Sequence, residues 1–409
     1  MIKKTILENG LIIITEENNS VPSFSMSCTL KSGSRAETKE VNGIHHLIEH
    51  MIFKGTEKYD MVDIANISDR LGGRLNAFTG KEITQFYLKA IDEKFDIAFD
   101  LLTDMVFNSV FDEQEFEKER NVVLQEIKES EDSPDTNAFE LFYENIFKEN
   151  PIGFPVAGKM DIVSKFTRDL LYDYYKDKYR PSNLLLSVVG NINHERVVEK
   201  ANAFFKKYGK DEPKDFKFGL PEFNRFTLKH KKDSLKQLYV IIGLQGVSAV
   251  SEDRYKFMVL NDVLGAGMSS RLFQKIREEK GLAYTINSFP DSFLDVGIYI
   301  VFSIIDPKDY NAYINEVKNI LYDVKNRGVS QEELERAKDH IKSSIILGLE
   351  NNLSRMRNIV NRELYNKEIL DVNKILYLVN NYTKEEIDRI ASTYFDVESM
   401  SVFSYGKTD

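Results

Sequence analysis

FTRDLLYDYYKDKYRPSNLLLSVVG, Phe166–Gly190, lies without a gap on YTKEEIDRIASTYFDVESMSVFSYG, Tyr382–Gly406, at an offset of 216 residues. Thr167 falls on Thr383, Tyr179 on Phe395, Leu186 on Val402 and Gly190 on Gly406. In the first copy a helical pattern over Arg168–Tyr179 runs into an apolar strand at Asn183–Val189 that stops at the glycine. A second pair agrees: DEQEFEKERNVVLQEI, Asp112–Ile127, lies on SQEELERAKDHIKSSI, Ser330–Ile345, at an offset of 218. A period this long, about half of 409 residues, is a domain duplication and not a solenoid. The expected fold class is α+β, with two tandem homologous domains, each an antiparallel sheet with helices packed on it.

Outward from these copies the first half reads as strands at Leu11–Glu16 and Ser23–Lys31, then helices at Asn42–Phe53 and Met61–Leu71. A hairpin follows, with strands Arg74–Thr79 and Thr84–Ala90 around a Gly80-Lys81 turn. Helical patterns then cover Glu93–Phe107, Asp112–Ser130, Thr136–Lys148 and, after the repeated segment, Glu195–Lys206. KKYGKDEPKDFKFGLPEFN, Lys206–Asn224, breaks this order: it is charged, has no clean period and holds two of the nine prolines. It reads as a linker, dividing the chain into residues 1–208, a linker at 209–224, and residues 225–409. Beyond it the same order returns, with a strand pair near Ala283–Phe302 and then long helices.

Composition narrows the partners. Hydrophobic residues make up 42% and charged residues 29%, enough apolar surface for sizeable cores in a globular protein. A net charge of −10 gives no support to nucleic-acid binding. The one cysteine, Cys28, rules out an intrachain disulfide, so any metal site must use histidine and carboxylate. The N-terminal apolar run, Leu11–Ile14, is too short for a secretion signal, and no stretch approaches a membrane span. A cytoplasmic protein with no membrane partner is the expectation.

Three of the six histidines fall in HHLIEH, positions 45–50. On a helix His46 and His50 are i and i+4 and share a face, with Glu49 beside them. The neighbours Ile44, Leu47, Ile48, Met51, Ile52 and Phe53 are apolar, so these ionisable groups need partners inside the fold. A zinc ion suits two imidazoles one turn apart. The pattern is H-x-x-E-H, the inverse of H-E-x-x-H. His45 points to another face, where a structural or solvent-facing role is expected. A catalytic zinc needs a third ligand, and the helix Asp112–Ser130 offers several glutamates. Glu126 stands out, because Val122 and Val123 precede it by a turn and Ile127 follows. Glu119, two turns earlier on the same face, is placed to orient a ligand histidine. In the duplicate these two positions are Ala337 and Ser344, and H-x-x-E-H is missing, so the scaffold does not need these groups to fold.

His46-x-x-Glu49-His50 followed by Glu119 and Glu126 in ERNVVLQEI resembles the pitrilysin-type inverted zinc metallopeptidases. Size and duplication resemble the mitochondrial processing peptidase branch and its bacterial relatives, across nearly the whole chain. The resemblance implies His46, His50 and Glu126 as ligands of Zn2+, Glu49 as general base and Glu119 as support. It implies that the first hairpin strand, with Asn76, Ala77 and Phe78, pairs with an extended peptide substrate. Arg277 and Tyr284 in SRLFQKIREEKGLAYTI match the family's arginine–tyrosine pair, which holds substrate and developing oxyanion. One chain carrying both sets implies a homodimer with sites shared between chains. The expected activity is an endopeptidase acting on unfolded or short peptides. A catalytically silent core subunit and a non-enzymatic peptide-binding module are the alternatives, and intact His46, Glu49, His50 and Glu126 argue against the first.

Overall fold

A computed structural model describes residues 2–213, 218–365 and 372–407. Residues 214–217, inside the expected linker, lie outside the described part. The first sheet contains β1 (Ile2–Ile6), β2 (Ile12–Glu17), β3 (Ser23–Leu30), β4 (Arg74–Thr79), β5 (Thr84–Ile91) and β6 (Leu184–Gly190). Their order is β1-β2-β6-β3-β5-β4. The second contains β7 (Thr227–Lys231), β8 (Leu238–Gln245), β9 (Thr285–Ser292), β10 (Gly297–Ile305) and β11 (Ser401–Gly406), in the order β7-β11-β8-β10-β9. The first half also forms α1 (Ile44–Ile52), α2 (Met61–Leu71), α3 (Phe95–Asn108), α4 (Glu113–Asp132), α5 (Pro134–Ile146), α6 (Met160–Val163), α7 (Arg168–Lys178) and α8 (His194–Phe205). The second half forms α9 (Arg254–Gly265), α10 (Tyr310–Arg327), α11 (Gln331–Gly348), α12 (Asn352–Tyr365), α13 (Val372–Asn381) and α14 (Lys384–Tyr394).

The repeated segments fold alike. Thr167 and Thr383 each cap the following helix, accepting from the N–H of Leu170 and of Glu386 at 3.3 Å. β6 and β11 are buried along their whole length, which suits their LLLSVVG and SVFSYG runs. Gly190 and Gly406 end them with φ of 143° and 141°. A Cβ would stand 2.3 Å from Ser23 O at the first and 2.4 Å from Gln237 O at the second, so both positions demand glycine.

Two details differ from the expectation. Most strand pairs are antiparallel, but β2 runs parallel to β6 and β7 parallel to β11. Nearly a whole domain of chain separates each of these pairs, long enough for a crossover. The compact units are also not single stretches. One comprises Met1–Glu129, Phe154–Phe218 and Gly348–Lys367; the other comprises Ser130–Gly153, Gly219–Leu347 and Glu368–Asp409. This differs from the linear division at 208 and 225. The reason is a reciprocal exchange of helices: α12 packs on β3 and β6, and α5 packs on β8 and β11. α5 and α12 begin 218 residues apart, at Pro134 and Asn352, as do α4 and α11 at Glu113 and Gln331. Each sheet has a second face, apolar in the second sheet (Ile241, Ile298, Ile300, Phe403) and rich in buried serine and threonine in the first (Ser25, Ser27, Thr29, Ser187), and the duplicate helix from the other half packs on it. Among the described residues no helix is long and apolar enough to cross a membrane.

Candidate metal centre

α1 starts at Gly43, whose φ of 97° turns the chain into the helix. Ile44, Leu47, Ile48, Met51 and Ile52 are wholly buried in the core of the first unit. That packing fixes the helix rotation and leaves His46, Glu49 and His50 on the part-exposed stripe. His45 is also wholly buried, away from this stripe, so its role is structural and not solvent-facing.

α4 brings the third group. Phe116, Val123 and Ile127 anchor one face of α4, and Glu126 stands beside that face. Its Oε2 lies 3.7 Å from His46 Nε2 and 3.5 Å from His50 Nε2. Both separations are too long for good hydrogen bonds. They match the edges of a tetrahedron of donors around an ion at about 2.0–2.1 Å, which measure about 3.3 Å. Among the described residues, His46, His50 and Glu126 are the only group of histidine, cysteine or carboxylate able to hold a metal, with ligand atoms within 4.8 Å of one another. Two imidazoles and one carboxylate are the donor set of a catalytic zinc with an open position, so the residues present fit the ion.

The electrostatics favour neutral nitrogen at His46. Burial, aided by the neighbouring His50, depresses His46 to about 4. At His50 burial acts downward but is outweighed by the hydrogen bond to Glu119 and by the carboxylates of Glu126, Glu119 and Glu49, so the net shift is upward. Glu119 Oε2 sits 3.1 Å from His50 Nδ1, and its Oε1 lies 2.7 Å from Lys54 Nζ. Burial raises the Glu119 carboxyl, but the hydrogen bonds from His50 and Lys54 outweigh it and hold the group below its ordinary value. Glu49 shows the opposite balance. Burial raises its carboxyl, and the hydrogen bond that Thr79 Oγ1 donates at 2.5 Å offsets only part.

Thr79 closes β4, the last strand of its sheet. Gly80 N–H donates to Ile83 O at 2.7 Å, which sets the alternation of the β4–β5 ladder. Asn76 and Phe78 therefore bond to β5, while Leu75, Ala77 and Thr79 turn their main-chain groups to the open edge. In keeping with this, Ala77 N–H meets no β5 carbonyl and donates to Asn76 Oδ1 at 2.8 Å. The open backbone edge and Glu49 thus meet at one strand. Arg277 and Tyr284 belong to the other unit. Arg277 sits on a π-helical turn, Phe273–Glu279, with its guanidinium 4.8 Å above the Phe273 ring. Tyr284 precedes β9 and is 75% exposed.

Lys54 and Thr79 escaped the sequence reading. Lys54 follows His50 by four residues, a usable helical signal. Thr79 depends on sheet register, which nothing local encodes.

Residues 12–159 match the family described as Insulinase (Peptidase family M16), and residues 165–341 match the Peptidase M16 inactive domain. The latter covers much of the duplicate, which lacks H-x-x-E-H. An uncharacterized zinc protease of Bacillus subtilis, YmxG, is 36% identical over 97% of this chain and 96% of its own length. An uncharacterized zinc protease of Streptomyces coelicolor is 34% identical over 95% of this chain and 86% of its own. In fold, the chain is similar to a protease from Helicobacter pylori, with a TM-score of 0.92 at 23% identity over 99% of both chains. It is also similar to a peptidase M16 inactive domain from Pseudomonas fluorescens, with a TM-score of 0.93 at 18% identity over 100% of this chain and 98% of that one. Family and relatives make zinc the cofactor, and the chain belongs to peptidase family M16.

Proposed function

We propose that this chain is a zinc-dependent endopeptidase that cuts unfolded or short extended peptides. The observation that carries the reading is the convergence of His46 Nε2, His50 Nε2 and Glu126 Oε2, with Glu49 on the same helical stripe. His46, His50 and Glu126 hold the ion. When bound, zinc supplies Lewis acidity, polarising a carbonyl and acidifying a water. Glu49, raised by burial, accepts the proton and delivers it to the leaving amine. Thr79 holds Glu49 by one oxygen. Glu119 binds His50 Nδ1 and so leaves Nε2 as the donor to metal.

The open edge of β4 takes the substrate as an added strand, which reads main chain and tolerates many sequences. Of the three residues expected to bind substrate, Ala77 presents its main chain to that edge, and Asn76 and Phe78 flank it in the same strand. Arg277 and Tyr284 hold substrate and oxyanion, and the resemblance of this pair to the family's supports a homodimer in which each copy completes the other's centre.

Glu49→Gln tests the chemistry. The variant is expected to keep about the wild-type zinc content and to lose about 100-fold or more of its hydrolysis of a mixed peptide library, because an amide cannot act as base. Near wild-type turnover in the zinc-loaded variant removes Glu49 from the mechanism. A zinc-loaded wild type that cuts no peptide sinks the endopeptidase reading.

A further inference from the structure

Seven residues before the first residue of α1 a second buried constellation faces the metal helix from its other side. The Glu37 side chain is wholly buried, and four donors converge on it. Oε2 accepts from Gly43 N–H at 2.7 Å and from Asn42 Nδ2 at 2.9 Å. Oε1 stands 3.0 Å from His45 N and 3.0 Å from His45 Nδ1. The far ring nitrogen, His45 Nε2, lies 2.9 Å from Ser32 Oγ. Ser32, His45 and Glu37 are all buried, so no substrate reaches them. The line resembles a serine–histidine–carboxylate relay, but its geometry serves the helix.

Two facts give it that role. Gly43 at the helix N-terminus has no capping side chain of its own. The first N–H groups of a helix lack partners inside it, and Glu37 takes two of them from outside. The same segment also grips the turn between β4 and β5. Ser34 N–H donates to Gly80 O at 3.1 Å and Arg35 N–H to Lys81 O at 2.7 Å, while Arg35 pairs with buried Glu82 at 2.6 Å. Thr84 Oγ1 donates to Ser32 O at 3.0 Å. So a segment of six residues touches both the start of the ligand helix and the turn after Thr79.

We propose that Glu37 and His45 are positioning residues: with Ser32–Arg35 they brace α1 against the β4–β5 turn and so fix His46 and Glu49. The proposal rests on the zinc reading above. A carboxylate is required at position 37, because each of its oxygens faces two donors. In Glu37→Gln the amide NH2 would face a main-chain N–H whichever way it turned, that of Gly43 or that of His45.

The experiment uses the full chain loaded with zinc, and separately with cobalt(II) as a spectroscopic probe. Release of zinc to a chelator and the visible cobalt spectrum are measured for wild type, Glu37→Gln and His45→Leu. Val197→Ala, a buried truncation in α8, controls for general loosening. Glu37→Gln is expected to release zinc about 10- to 100-fold faster and to alter the cobalt spectrum, by analogy with other outer partners of metal ligands. His45→Leu is expected to move both readouts the same way by a smaller factor. Val197→Ala is expected to leave both unchanged. Wild-type release and spectrum in folded Glu37→Gln overturn the brace. If Glu37→Gln does not fold, the same result in His45→Leu overturns it. Equal effects from Val197→Ala also overturn it, since the effect would then be loss of stability alone. A wild type that takes up neither ion sinks the zinc reading and the brace with it; one that binds both, while the variants match it, sinks only the brace.

Discussion

Lys54 stands one turn beyond His50, and Glu119 is pinned between the two, with one oxygen for each. A carboxylate held at both ends cannot rotate away, so His50 keeps one ring orientation. Lys54→Met removes one end and leaves a buried carboxylate with a single partner. Zinc affinity is expected to fall about 10-fold, and Glu119→Gln is expected to cost at least as much. Competition with a chelator of known affinity measures both; wild-type affinity in both variants would remove Glu119 from the support of His50. At this scale the sequence is informative wherever helical spacing alone decides. His46, Glu49 and His50 share a stripe by spacing, and Glu119 and Glu126 share another. Glu37 and Thr79 are illegible for a different reason. They reach the ligand helix across 8 residues to His45 and 30 residues to Glu49, through a loop and a sheet register that no local pattern states.

β4 and its turn are legible as an element: Arg74–Thr79 is both the expected and the observed strand. What the pattern cannot give is which backbone groups face the open edge. That depends on the Gly80–Ile83 bond, which hands the outward positions to Leu75, Ala77 and Thr79. Two proline substitutions separate binding from folding here. Ala77→Pro deletes an N–H that faces away from β5, and an edge strand tolerates that. Its melting temperature is expected to stay near wild type while kcat/KM for peptides falls by about 10-fold or more, through the lost edge donor. Phe78→Pro deletes an N–H inside the ladder and is expected to destabilise the fold by about 1 kcal/mol or more. Peptide kinetics with thermal unfolding decide it. Unchanged kcat/KM in Ala77→Pro would show that this edge does not take the substrate.

For the whole molecule, the duplication is legible because 25 residues repeat in register, down to a glycine that no other residue can replace. The exchange of α5 and α12 is not legible, because an amphipathic pattern announces an apolar face without naming the sheet that will cover it. Placement of the proposed zinc triad in one half of the chain and the arginine–tyrosine pair in the other raises the question of which copy serves which. The proposed homodimer answers that each centre takes Arg277 and Tyr284 from the partner copy. Glu49→Gln and the double variant Arg277→Ala with Tyr284→Phe are each expected to be nearly inactive alone. In a mixed dimer with shared centres, one centre collects both defects and the other collects neither. Random exchange of subunits makes about half of the dimers mixed, so roughly a quarter of wild-type activity is expected to return. If each centre were completed within one chain, every centre in the mixture would carry a defect and nothing would return. Absence of recovery, with subunit exchange shown directly by mass or fluorescence, would end the shared-centre reading and leave the zinc chemistry of His46, Glu49, His50 and Glu126 standing.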